Sequence, residues 1–276
     1  PHHDSTDKTT GTYVSSNDAY VTAVKQLASE QNVLLLDGFA ITKSLYEETY
    51  KNDSSAKSGV SQLATQIMAA GDKTHSNKLG GFITAALFAS KLQDMNLSIS
   101  KAVSMPAKTA GINPDGQQIF SINGSSVFTA YAADDNGKYS AQSEYWTNYG
   151  QELIKAIGTK KDELNKTPDP VPDPTPTPDP DPTPDPSAKA TVWVVGDSTV
   201  SSFSDKYYYP RYGWGTQLSA YFDDTLTVNN LALSGRSSKS YTSEPQYKTL
   251  IEGMQSGDYL LIGFGHNDEK AEEARY

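Results

Sequence analysis

The chain contains no cysteine, which removes disulfide staples, thiolate nucleophiles and the usual zinc clusters from consideration. Nor has it a basic excess: 23 Lys and Arg stand against 33 Asp and Glu, a formal net charge of -10. With no basic stripe to neutralise phosphates, the sequence argues against nucleic acid and anionic membrane as partners. The acidic residues read as solvated faces. No apolar run approaches the roughly 18 residues needed to span a bilayer. The opening residues, Pro1-His2-His3-Asp4, have neither an initiator methionine nor a secretory-leader pattern, so a processed N-terminus or a piece of a longer protein is expected.

What is present is 276 residues with 36% apolar and 10% aromatic content, enough for one large or two ordinary domains with real cores. From Thr167 to Pro186 proline takes every second position, with Asp or Thr mostly between. Proline at that density removes ladder donors and breaks helices, so an extended spacer of roughly 60 Å is expected. Its aspartates are solvated. The spacer divides the chain into residues 1–166, of which 97–166 form an extension, a linker at 167–187, and residues 188–276.

On the near side of the spacer, Val21, Val24, Leu27 and Ala28 share one face of a helix over 17–31, with Asn17 or Asp18 as cap. Val33-Leu34-Leu35-Leu36, ending in Asp37-Gly38, reads as a buried parallel strand. A helix is expected from Phe39 to Tyr50. A second, from Leu79 to Leu92, carries Phe82, Ile83, Ala86, Leu87 and Leu92 toward a sheet. Gln118–Ile122 and Ser126–Ala130 fit a hairpin around Asn123-Gly124, and Trp146, Tyr149, Leu153, Ile154 and Ile157 mark a helix over 144–164.

On the far side, Thr191-Val192-Trp193-Val194-Val195 ends at Gly196, Leu226-Thr227-Val228 ends at Asn229-Asn230, and Tyr259 to Phe264 ends at Gly265-His266-Asn267-Asp268. A helix is expected from Gly215 to Phe222. Apolar strands closed by polar residues, at helix-sized intervals, spell an α/β, doubly wound parallel sheet. Ligands bind such sheets beyond the carboxyl ends of the strands.

The chemistry-bearing residues fall at those ends. Ser198, in Gly196-Asp197-Ser198-Thr199, follows a buried strand at a tight turn, where its hydroxyl meets a substrate carbonyl. A serine nucleophile needs donors for the oxyanion, and the Ser198 N–H, the Gly235 N–H and the Asn267 amide form a candidate set. Each also has a plain turn reading. Residues 188–276 lack an oriented base, since His266 has only Asp268 at its side. Across the spacer, Asp72 and His75 stand three apart in a loop before a helix, so that the acid can fix the ring's tautomer while the other nitrogen faces a serine. Ser76 or Asn77 capping the next helix is the plain alternative.

Taken together, Gly-Asp-Ser-Thr at 196–199, Asn-Leu-Ala-Leu-Ser-Gly-Arg-Ser-Ser at 230–238, Gly-His-Asn-Asp at 265–268 and Asp-Lys-Thr-His at 72–75 resemble the SGNH (GDSL-type) hydrolases. Within that family they are most similar to the rhamnogalacturonan acetylesterase group. The resemblance covers roughly 188–276 and 1–96. It implies a flavodoxin-like doubly wound parallel sheet, the SGNH hydrolase fold, here split into C-terminal and N-terminal portions by a disordered Pro-rich linker. It implies Ser198 as nucleophile, His75 as general base and acid, Asp72 as its orienting partner, and Ser198, Gly235 and Asn267 as oxyanion donors. His266, Arg236, Tyr209 and Trp214 are candidate substrate contacts. No metal or cofactor is implied. The implied reaction is deacetylation of plant cell-wall polysaccharide, rhamnogalacturonan or pectin-like, by a secreted enzyme.

The motifs stand in permuted order, because the Asp-His element precedes the serine. The family would also have a helix and a central fourth strand that neither portion supplies. The preferred explanation is a partial reading of tandem hydrolase domains of one protein; the other is a circular permutant. In either case the two portions are expected to pack as one sheet with Ser198 near His75. Competing functions are a polysaccharide-binding or partner-docking module and a hydrolase of lipid or aryl esters, the latter disfavoured because no long apolar lid is present.

Overall fold

The computed structural model describes residues 6–7, 12–13, 18–51, 68–69, 72, 74–103, 109–112, 118–122, 125–126, 189–203 and 211–270. The spacer, the expected 144–164 helix and Tyr207 to Tyr209 lie outside these.

The first two strands, β1 (Thr6–Asp7) and β2 (Thr12–Tyr13), pair antiparallel. Three helices follow: α1 (Asp18–Glu30), α2 (Gly38–Lys51) and α3 (Lys78–Asp94). Strands β3 (Thr109–Ile112), β4 (Gln118–Ile122) and β5 (Ser125–Ser126) form an antiparallel sheet. Its β4–β5 pairing sets Ile122 against Ser125; Asn123-Gly124 and residues 127–130 of the expected hairpin lie outside the described residues.

The site is built on a second three-stranded sheet. Strands β6 (Ala190–Gly196), β7 (Leu226–Asn230) and β8 (Tyr259–Gly263) run parallel in the order β7-β6-β8. Central β6 matches Ala190 to Leu226 on one side and Val192 to Tyr259 on the other. Its side chains alternate between faces. Val192 and Val194 enter a core with Ile83, Ala86 and Phe88 of α3 and with Leu218 and Tyr221. Trp193 and Val195 enter a second core with Tyr241 and Leu250, from helices α4 (Ser238–Tyr241) and α5 (Pro245–Gly253). Helices thus cover both faces, which is why β6 is a continuous apolar run. Because β6 is followed by β7 on one side and then β8 on the other, the carboxyl end of β6 is the switch point of the sheet.

Residues from both sides of the proline-rich spacer share the larger core, with Leu45, Ile83 and Val194 each at most 1% exposed. Helix α3 is apolar around much of its circumference, Ala85, Ala86, Leu87, Phe88 and Ala89 all being buried, as a helix enclosed on several sides must be. Asn77 caps it, its side chain accepting from the Gly80 N–H. One antiparallel bridge, Val103 to Phe222, and the bond from the Asp223 N–H to the Ala102 carbonyl at 2.9 Å add backbone links. Among the described residues the two portions join by helix-on-sheet packing, and the expected single continuous sheet does not form.

Two expectations fail for one reason. Val33 to Leu36 is not a strand, and Val33, Leu34 and Leu35 are 61%, 55% and 38% exposed. Helix α1 has the expected bounds but no buried residue, with Val24 and Leu27 more than half exposed. A strand needs a neighbour for its backbone groups. Among the described residues the sheet ends at β8, where Ile262 is 68% exposed. Among the described residues the apolar run pairs with no strand, and of its four residues Leu36 reaches the core. The expected 215–222 helix is instead two 3-10 turns, Trp214–Thr216 and Leu218–Tyr221.

Candidate active site at the carboxyl edge of the parallel sheet

Beyond β6 the chain turns sharply on Asp197. The Asp197 Oδ1 accepts the Thr199 N–H at 2.9 Å and the Thr199 hydroxyl at 2.8 Å, while the Asp197 carbonyl accepts the N–H groups of Val200 and Ser201. This Asx turn sets Ser198 at the strand end, 5% exposed. Asn230, at the end of β7, donates from Nδ2 to the Val200 carbonyl at 2.9 Å and accepts the Ala232 N–H, so the second strand braces the serine turn. Gly196 has an ordinary backbone conformation; the constraint is space, because a Cβ there would lie 2.6 Å from the Gly263 carbonyl oxygen and from Val200 Cγ2.

The second component is the loop before α3. Asp72 Oδ1 accepts the backbone N–H groups of Thr74 and His75, both at 2.8 Å, and Oδ2 accepts from His75 Nδ1 at 2.8 Å. The other ring nitrogen, His75 Nε2, lies 2.8 Å from Ser198 Oγ. With its Nδ1 proton committed to the carboxylate, the imidazole offers the Nε2 lone pair to the serine O–H. The His75 carbonyl accepts the Ala69 N–H at 2.8 Å, which holds the loop's other edge.

Burial pushes the Asp72 carboxyl up, but the His75 ring and the His75 and Thr74 amides outweigh it and hold the group well below the usual carboxylate range. Asp72 is therefore an anion throughout the neutral range. Asp197 behaves oppositely: burial raises it, and the Thr199 bonds and nearby His75 only partly offset this.

The other candidates sit on the loops after β7 and β8, on the same edge of the sheet. Gly235 has φ +77°, a left-handed conformation that a side chain would strain, with open space where a Cβ would point. Asn267, 2% exposed, donates from Nδ2 to the Arg236 carbonyl at 3.1 Å and accepts from Lys270 Nζ at 2.8 Å. Asp268 Oδ1 accepts the Ser238 N–H at 2.9 Å and its hydroxyl at 2.5 Å, stitching the two loops together. Arg236 pairs through Nε with Glu244 at 2.6 Å. His266 Nδ1 lies 3.6 Å from Glu269. Trp214 packs edge-on against Phe88, centroids 4.7 Å apart, so core packing uses this ring. Tyr209 lies outside the described residues. Among the described residues no group of three or more His, Asp or Glu is arranged to hold a metal ion.

One residue escaped the sequence reading. Arg211 Nε lies 2.7 Å from Asp72 Oδ2, the oxygen that also receives His75. Its neighbours in sequence, Pro210 and Tyr212, carry no charge, and nothing local signals a long-range ion pair.

A hydroxyl, an imidazole and a carboxylate in series, beyond the central strand of a parallel sheet, are the arrangement of a serine hydrolase. No family model matches the chain. Curated proteins do. It is 40% identical over 79 residues to rhamnogalacturonan acetylesterase RhgT of Bacillus subtilis, 29% of this chain and 34% of that protein. It is 41% identical over 80 residues to a rhamnogalacturonan acetylesterase of Emericella nidulans, 28% of each chain. A third match, 33% over 86 residues, is to the probable rhamnogalacturonan acetylesterase YesY of Bacillus subtilis, 31% of this chain and 39% of that one. Over that stretch the chain is similar to rhamnogalacturonan acetylesterases. The matched stretch spans about a third of the length of these curated relatives.

Proposed function

We propose that the protein is a serine esterase that removes acetyl groups from a plant cell-wall polysaccharide of the rhamnogalacturonan type. The observation that carries this reading is the 2.8 Å approach of His75 Nε2 to Ser198 Oγ, with Asp72 behind the ring. His75 takes the Ser198 proton as the oxygen attacks the acetyl carbonyl carbon. The oxyanion forms beside the Ser198 N–H, the Gly235 N–H and the Asn267 amide, which stabilise charge absent from the ground state. His75 then protonates the departing sugar oxygen, leaving acetyl-Ser198. Water, deprotonated by the same imidazole, releases acetate and restores the serine. Asp72, held ionised, stabilises the imidazolium at each step.

The names of the relatives support the substrate class. A polysaccharide of this kind lies outside cells, and the reading carries with it an enzyme acting there. Residues 1–166 and 188–276 are read as two portions of hydrolase domain on either side of the 167–187 linker, with a tandem domain of the same protein as a candidate neighbour.

Acetate release from acetylated rhamnogalacturonan tests the reading, with Ser198→Ala and His75→Ala as controls. Each change is expected to lower turnover by roughly 10³-fold or more. Release that survives both changes removes the triad. Binding of the polysaccharide without release supports a non-catalytic module instead.

A further inference from the structure

We propose that Arg211 is a positioning residue for this reaction, one that locks the Asp72 carboxylate and through it the His75 ring. The inference rests on the esterase reading above and extends it to a residue outside the triad. Among the described residues, the two oxygens of Asp72 meet three hydrogen-bond donors and one cation. Oδ1 takes the amides of Thr74 and His75, and Oδ2 takes His75 Nδ1 at 2.8 Å and Arg211 Nε at 2.7 Å. The first pair belongs to the same tight loop and fixes one end of the carboxylate. The Arg211 ion pair comes from a distant part of the chain and holds the other end of the carboxylate. The plane of the carboxylate sets where Nδ1 points, and that direction sets where Nε2 meets Ser198 Oγ.

The segment bearing Arg211 is anchored on both catalytic loops. The Tyr212 N–H donates to the Ser76 carbonyl at 2.8 Å, and the Ser76 hydroxyl donates back to the Tyr212 carbonyl at 3.2 Å. The Gly213 N–H donates to the Ser201 carbonyl at 3.1 Å, and the Trp214 N–H to the Thr199 carbonyl at 3.0 Å. Residues 211–214 therefore form a strap from the nucleophile turn to the acid–base loop, and Arg211 is its charged end. The Arg211 side chain is about a third exposed while that of Asp72 is 10% exposed. The pair stands at the rim of the site.

Such a role acts on turnover and leaves substrate affinity alone. Steady-state acetate release on acetylated rhamnogalacturonan, for the full chain and for Arg211→Gln and Arg211→Lys, tests it. Arg211→Gln is expected to lower kcat by roughly 10- to 100-fold with KM within about 2-fold, because a small misplacement of the base is costly. Arg211→Lys keeps the cation without the planar donor and is expected to recover part of the loss, remaining about 3-fold or more below wild type. Near-UV circular dichroism checks the fold. If Arg211→Gln does not fold, the lysine variant decides: a kcat loss at unchanged KM supports positioning. Wild-type kcat in the folded variants, or a loss carried by KM, overturns the inference alone. A wild-type chain with no Ser198-dependent release overturns the esterase reading and this inference with it.

Discussion

Asp258 offers the sharpest test of how the sheet is held, because one carboxylate ties the start of β6 to the entrance of β8. Its Oδ1 accepts the Thr191 N–H at 2.7 Å, and its Oδ2 accepts the Trp193 indole N–H at 2.8 Å and the Gln255 N–H at 3.0 Å. Asparagine has one acceptor oxygen where aspartate has two. Whichever way its amide turns, at least one donor faces an NH2 group, and the others lose a charged acceptor. Hydrogen bonds to charged groups contribute about 1.5–3 kcal/mol each, and the half-exposed setting favours the low end, so Asp258→Asn should cost about 2–3 kcal/mol. The effect should depend on pH. Burial raises the Asp258 carboxyl, but the Trp193, Thr191 and Gln255 donors prevail and the group lies below its ordinary value. Its stabilising contribution is therefore complete above the ordinary aspartate range and is lost as pH falls through the lowered folded value. Urea denaturation of both proteins, followed by tryptophan fluorescence near neutral pH and again near about pH 3, measures this. A difference under about 0.5 kcal/mol at neutral pH, within the range of ordinary surface substitutions, would refute the reasoning. So would a difference that does not shrink in acid.

Two further outcomes are expected. A Cβ on residue 213 would lie 2.2 Å from the Val200 carbonyl carbon and 2.5 Å from the Ser201 nitrogen, so Gly213→Ala must displace backbone, costing about 1–3 kcal/mol and slowing acetate release; wild-type stability and turnover together would contradict it. Asp197 is raised by burial, so the stability linked to its protonation is present below its ordinary value and lost as pH rises through the raised one. Asp197→Asn keeps an acceptor for Thr199, and its melting temperature should equal or exceed wild type near neutrality, with the advantage fading in acid. A wild type more stable near neutrality would mean that the buried carboxylate is fully compensated.

Local signals carried much of this fold. Strand β6 was legible because burial on both faces demands an unbroken apolar run, and Gly196-Asp197 marks where it ends. Helix α3 was legible from its apolar spacing. The Asp72, His75 and Ser198 motifs pointed to one site because each carries chemistry that the others complete. Val33 to Leu36 was misread because a strand is a pairing, and an apolar run cannot report whether a partner lies beside it. The 215–222 stretch was misread because its backbone is set by contacts far away in sequence: a Cβ at Gly215 would meet the Val200 carbonyl oxygen at 2.7 Å and Asn230 Nδ2 at 2.8 Å. Arg211 left no local trace for the same reason, since it acts on a loop that the chain reaches only by folding.

The central claim is that residues on either side of the proline-rich spacer form one reactive site, and labelling with a fluorophosphonate followed by peptide mass spectrometry tests it most directly. The reagent should add to Ser198, at a rate that falls by roughly 10²-fold or more in His75→Ala, because the imidazole activates the hydroxyl. Labelling of another residue, or labelling of Ser198 at the same rate without His75, would contradict it.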